Sequence, residues 1–177
     1  MTIEESLERI RRTAVEITED WLGFPPGENK VRPSLEASER LRLAMNLPKM
    51  AREEFARLYA ACDGLTLPDI YNGVFVDGLA RAVEHWPTER PRRLVQKERS
   101  TDVFAFGSNG GGDWLLYCAD DASVWRGPLA ALRAPHIYEP SDGSLVFVAA
   151  SVAGFVDVVA EMSEAFVRGE SVKRFGL

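Results

Sequence analysis

Apolar residues near the N-terminus recur at alternating steps of four and three: Ile3, Leu7, Ile10, Ala14, Ile17 and Trp21. That spacing gathers them on one face and predicts an amphipathic helix over residues 2–22. Thr2 and Glu5 stand at the spacing of a capping box. Gly23 and the Pro25-Pro26-Gly27 run end the helix, since proline has no amide to continue it, and the stretch to Pro33 reads as a linker. Ser34 is placed to cap a second helix reaching Met45, with Leu41, Ala44 and Met45 facing inward. Pro48 suits the first turn of a third helix, where a missing amide costs nothing. That helix carries Phe55, Leu58, Tyr59 and Cys62 at helical spacing and stops at Asp63-Gly64, with glycine in the left-handed position past its end.

Beyond Gly64 the pattern shifts to short apolar runs. Pro68–Asp77 reads as a short strand or loop with Val74, Phe75 and Val76 as its apolar part and Tyr71-Asn72-Gly73 as a turn, Leu79–Trp86 as a short helix stopped by Pro87, and residues 88–99 as a solvated connection. Val103–Cys118 is the organising stretch: two aromatic-rich apolar runs flank Gly107, Ser108, Asn109, Gly110, Gly111, Gly112 and Asp113. Glycine and asparagine tolerate positive φ, so this is a hairpin signal. Asp120-Asp121 marks a further turn, Ser123–Arg126 a third strand, Leu129–Arg133 a weak segment and Pro135–Gly143 a polar loop. Val146–Ala150 reads as a buried strand. Ser151 caps a last helix bearing Val152, Phe155, Val159, Met162 and Phe166, closed by Gly169, and residues 170–177 read as a frayed or lightly docked tail. Helices first, then clustered strands, then a closing helix predict an α+β fold with a mostly antiparallel sheet. The length of 177 residues suits one domain.

Charge narrows the function classes. The net charge is −6, which argues against a nucleic-acid binder and suits a basic protein partner. Locally, Arg90, Arg92, Arg93, Lys97 and Arg99 outweigh Glu89 and Glu98, too narrow a run for a nucleic-acid face. Cys62 and Cys118 fall in apolar stretches and read as buried thiols of a reducing compartment. The acidic N-terminus lacks a signal-peptide layout and no apolar run is long enough for a membrane span, so the sequence predicts a cytoplasmic protein without membrane contact.

No catalytic chemistry declares itself. The glycine cluster is followed by no lysine, and Trp114-Leu115-Leu116-Tyr117 continues as a strand where a phosphate-binding loop would open a helix. His85 and His136 stand at no metal-ligand spacing. Ser108 and Ser151 sit outside the GxSxG nucleophile pattern. Asp113, Asp120 and Asp121 read as turn residues bonded to their own backbone. Neither a metal nor a cofactor is expected.

The order of motifs is nonetheless familiar. A Leu47-Pro48 step leads into a helix bearing Phe55 and Tyr59 and ending Asp63-Gly64. A Phe-Gly-x-Asn-Gly-Gly-Gly-Asp hairpin spans Phe106–Asp113, and an apolar strand then enters a helix through Ala150, Ser151 and Phe155. Over about residues 35–166 this resembles the SUKH superfamily of fungal cell-wall synthesis regulators and bacterial immunity proteins. Members commonly have Asn-Gly where this chain has Asp63-Gly64; the N-terminal helix and the 88–99 segment look like additions. The resemblance implies a non-enzymatic protein-binding module, in bacteria one that blocks a toxin, often a nuclease. A regulatory scaffold with several partners is the second expectation, and a small hydrolase using acids near the glycine turn the third. The motif residues Asp63, Gly64, Gly107, Asn109, Gly110, Gly111, Gly112 and Asp113 read as structural. Interfaces favour aromatic side chains, which makes Tyr71, Trp114, Trp125 and Tyr138, with Asp120 and Asp121, the candidate partner-binding residues.

Overall fold

The N-terminal stripe is split in two. In the computed structural model, which describes residues 1–96, 99–133, 136–141 and 143–170, helix α1 spans Ile3–Ala14 and a separate turn of helix, α2, spans Glu19–Leu22. Thr2 and Glu5 do form the capping box: Glu5 N donates to Thr2 Oγ1 at 3.2 Å and Thr2 N to Glu5 Oε2 at 2.8 Å. The single long helix expected over 2–22 fails because hydroxyl side chains offer the backbone other partners. Thr13 Oγ1 donates to Arg9 O at 2.8 Å, and Thr18 caps α2. Ile17 stays buried, whereas Trp21 is 42% exposed and reaches Phe166 edge-on.

The next two helices also depart from expectation. Helix α3 is Ala37–Ala44, N-capped at Glu36; the Ser34 hydroxyl instead donates to Tyr59 O at 2.7 Å. Leu41 and Met45 are 66% and 67% exposed, and Leu43 with Ala44 packs against the core. Two apolar stripes compete on this helix, and burial against its neighbours selects the second. Helix α4 is Arg52–Ala61; Pro48 lies in a preceding turn closed by Ala51 N to Pro48 O at 2.9 Å.

The stretch assigned to linkers contains strands. Lys30–Val31 (β1) pairs antiparallel with Leu65–Leu67 (β2), which pairs with Val74–Val76 (β3). Strands of two or three residues are too short to show a period. Helix α5 (Leu79–His85), β4 (Arg93–Gln96), β5 (Arg99–Asn109), β6 (Trp114–Cys118), β7 (Val124–Gly127), a 3-10 turn (Leu129–Ala131), β8 (Ile137–Tyr138), β9 (Val146–Ala149) and α6 (Val152–Val167) complete the described chain. The antiparallel path is β1-β2-β3-β5-β6-β7-β9; β4 pairs antiparallel with β5 and parallel with β8. The fold is therefore α+β with a mainly antiparallel sheet. The 88–99 connection thus holds strand β4, and the 135–143 loop holds β8. Pro135, Lys97, Glu98 and residues 171–177 lie outside the described residues, as does the Arg99 side chain.

Each sheet face has its own core. Phe104, Phe106, Leu115 and Tyr117 meet α1, α4 and α6 through Leu7, Ile10, Phe55, Leu58, Phe155 and Val159. On the other face Val103, Ala105, Leu116 and Cys118 pack with Leu94, Ala131 and Tyr138. The two thiols belong to opposite faces and are unbridged. Burial pushes the Cys62 thiol up to about 11, which keeps it protonated at neutral pH.

Strand β5 is long enough to serve two neighbours on one edge, and this forks the sheet. Its last residues pair with β3 (Val76 opposite Gly107) and its first with β4 (Arg93 opposite Asp102). Arg90 fills the gap: Nη1 donates to Ala105 O at 3.2 Å and stands 2.6 Å from Asp77 Oδ2, with the guanidinium 5.0 Å from the Trp114 ring. A residue counted as part of a solvated basic run is thus almost wholly buried.

Helices α1 and α6 are joined by charge as well as packing. Arg9 grips Glu164 with two bonds of 2.9 and 2.8 Å and reaches Asp157 at 2.7 Å. The hydrogen bonds from Arg9 hold the Glu164 carboxyl below the usual glutamate range. A depressed folded value means that the stabilisation is complete above the unfolded glutamate value and fades as the carboxylate protonates. Glu164→Gln is expected to lower stability at neutral pH by roughly 1 kcal/mol, because the pair is partly exposed, and to flatten the loss of stability below pH ~4. Urea denaturation at pH 3 and pH 7 checks this; an unchanged slope with pH removes Glu164 from the acid response.

Candidate protein-binding face

The glycine hairpin is built as a docking joint within the fold. Asn109 and Asp113 close it: Asn109 N donates to Asp113 O at 3.0 Å and Asp113 N to Asn109 Oδ1 at 2.9 Å. Gly112 takes φ +85°, and Gly110 N donates to Asn72 O at 2.5 Å, so a Cβ on Gly110 would lie 2.1 Å from that oxygen. Gly107 meets the Phe75 carbonyl equally closely beside the bulge at Ala105/Gly107. Gly111 lies in the exposed part of the turn. The Asp113 carboxylate is engaged by Arg126.

Asp63-Gly64 is likewise a joint. Asp63 Oδ1 accepts from Leu79 N at 2.7 Å, opening α5, and Gly64 takes φ +86° where a side chain would strike Arg32 and the Val76 carbonyl. Arg32 ties this corner by donating to Asp63 O at 2.7 Å, Thr66 Oγ1 at 2.6 Å and Val76 O at 2.6 Å.

The six candidate partner-binding residues separate. Tyr138 is fully buried in the second core, its hydroxyl donating to Pro128 O at 2.8 Å, and is corrected to a core residue. Burial raises its phenol well above the ordinary range. Tyr71, with φ +52°, packs edge-on against Phe166 and donates to Glu170 O at 2.7 Å, on the helical side of the sheet. Trp114 lies under Arg90, partly buried against the second core.

Trp125, Asp120 and Asp121 do come together. Trp125 Nε1 donates to Ser123 Oγ at 2.6 Å, and Ser123 in turn donates through both its amide (3.1 Å) and its hydroxyl to Asp121 Oδ1. This chain fixes the indole relative to the acidic turn, where Asp120 and Asp121 are both exposed. Across the β7–β9 pairing Trp125 meets Phe147 edge-on, centroids 5.4 Å apart, and Phe147 is 52% exposed. Phe147 sat inside a run read as wholly buried. Phe147 is exposed while Val148 and Ala149 after it are buried, and the β7–β9 register shifts between Val124 and Trp125.

No family model, curated protein or solved structure matches the chain. Among the described residues no helix is long and apolar enough to cross a membrane, and no cluster of three or more His, Cys, Asp or Glu side chains is placed to hold a metal ion.

Proposed function

We propose that this chain is a non-enzymatic protein-binding module whose Trp125–Phe147 face docks a basic protein, and that it neutralises a toxin in the manner the SUKH resemblance implies. The observation that carries the reading is the pre-oriented aromatic pair beside Asp120 and Asp121. Rigid aromatic rings supply much buried area with little entropy to lose, and interface energy concentrates on such anchors. Flanking acids steer a cationic partner and make the complex salt-sensitive.

The test is capture of partners from a native lysate by the tagged chain at low and high salt, beside a Phe147→Ala variant and an Asp120→Lys/Asp121→Lys variant. One stoichiometric basic partner, eluted by salt, is expected. Phe147→Ala is expected to weaken its binding by about 2 kcal/mol, roughly 30-fold. Retention of the partner by both variants would move the interface elsewhere, and several weak partners would favour a regulatory scaffold.

A further inference from the structure

A second surface differs from the rest of this acidic chain. Beside β4 and α5 lies a groove of about 790 Å³ with an apolar side formed by Met50 and Trp86 and a cationic side formed by Lys49, Arg92 and Arg93. The Arg92 guanidinium lies 5.8 Å from the Trp86 ring centroid. Among the described residues Lys49 and Arg92 have no carboxylate at ion-pair distance, and Arg93 approaches only Asp102, at 3.8 Å. His136 completes the lining in a left-handed conformation, φ +71°, which histidine adopts more readily than most residues with a Cβ.

His136 is held on both sides. Its carbonyl accepts from the consecutive amides of Arg92 (2.9 Å) and Arg93 (3.1 Å), which fixes it to the residues that carry the groove's charge. Its Nδ1 stands 2.9 Å from Arg90 O. A carbonyl only accepts, so Nδ1 carries the proton and Nε2 is left as the second polar atom of the ring.

We propose that this groove binds a small aromatic phosphate of nucleoside-monophosphate size, its ring against Trp86 and Met50 and its phosphate met by Arg92, Arg93 and Lys49. The volume is that of a small-molecule site, apolar with a few placed polar groups. Three cations against Asp102 leave a surplus close to the charge of a phosphate monoester, about −1.5 to −2. Guanidinium forks match phosphate oxygens and stack on planar rings. A net charge of −6 over the whole chain opposes a polyanion, so a short ligand fits where a nucleic-acid strand does not. The groove is separate from the Trp125–Phe147 face and does not depend on it.

Adenosine monophosphate, adenosine and inorganic phosphate are titrated separately into the full chain, followed by calorimetry and by tryptophan fluorescence. Saturable binding of the monophosphate with Kd below about 1 mM is expected, at least ~10-fold tighter than either half alone and weakening as salt rises. Arg92→Ala is expected to cost about 10-fold or more, and Trp86→Phe to remove the fluorescence change. Lys49→Gln, on an exposed turn, gives a second reading independent of the sheet. No saturation, equal affinity for phosphate alone, or unchanged affinity in both Arg92→Ala and Lys49→Gln would overturn the proposal.

Discussion

Arg90→Ala is expected to lower the unfolding free energy by about 3 kcal/mol, the scale of stranding one partner of a buried ion pair. The side chains of Arg90 and Asp77 are only 7% and 11% exposed. Removal of the guanidinium leaves Asp77 with, among the described residues, the Arg81 guanidinium at 3.3 Å, and takes away the donor to Ala105 O where the edge of β5 between β3 and β4 has no strand beside it. Asp77 cannot move out to water cheaply, because its amide donates to Phe106 O and its carbonyl accepts from Tyr59 Oη at 3.1 Å. Arg90→Lys keeps the charge but loses the planar fork, and roughly 1–2 kcal/mol is expected. Arg90→Met with Asp77→Asn should recover most of the loss, since a neutral pair strands no charge. Urea denaturation measures all three. A loss below about 1 kcal/mol for Arg90→Ala would mean that β5 holds the fork through its ladders alone.

That fork also shows where the sequence stops being readable. Period and capping signals placed α1, α4, α6 and the β5–β6 hairpin, because each is governed by near neighbours: Thr2 with Glu5, Ser151 with Gly154, Asn109 with Asp113. Apart from the break between α1 and α2, which Thr13 and Thr18 make locally, what failed depends on contacts made far along the chain. Lys30–Val31 becomes a strand only because Leu65–Leu67 lies beside it. Tyr138 looks like a loop residue until β8 docks on β4. Arg90 reads as one of five cations in a basic run, and only the gap between β3 and β4 turns it inward.

The candidate faces divide the same way. Trp125, Ser123 and Asp121 are two residues apart, so their association was within reach of the sequence. Phe147 joins them through strand pairing across more than twenty positions and gave no local sign. The charge in the 88–99 run was visible and its use was not: Arg90 is structural, while Arg92 and Arg93 line the groove with Trp86 and His136. A net charge shared over the chain hides a local patch of the opposite sign.

Phe55→Ala is expected to cost more still, about 3–5 kcal/mol. Phe55 sits where α4 meets the central hairpin and is fully buried. Its ring lies 4.8 Å from Phe104 and 5.5 Å from Tyr117, both edge-on, with Phe106 at 4.9 Å and Tyr59 at 6.2 Å. Edge-to-face pairs add to area burial, and four partners on three elements cannot all collapse into the vacated space, because β5 and β6 are held by their ladder. At roughly 2–4 °C per kcal/mol for a chain of this size, the melting temperature should fall by about 10–15 °C. Phe55→Leu keeps most of the volume, and the expected loss is near 1.5 kcal/mol. The Trp125–Phe147 face lies on the far side of the sheet, so at a temperature where Phe55→Leu remains folded its partner affinity should match that of the unaltered chain. Equal destabilisation by Ala and Leu would show that the edge-on geometry, rather than the filled volume, holds α4 to the sheet.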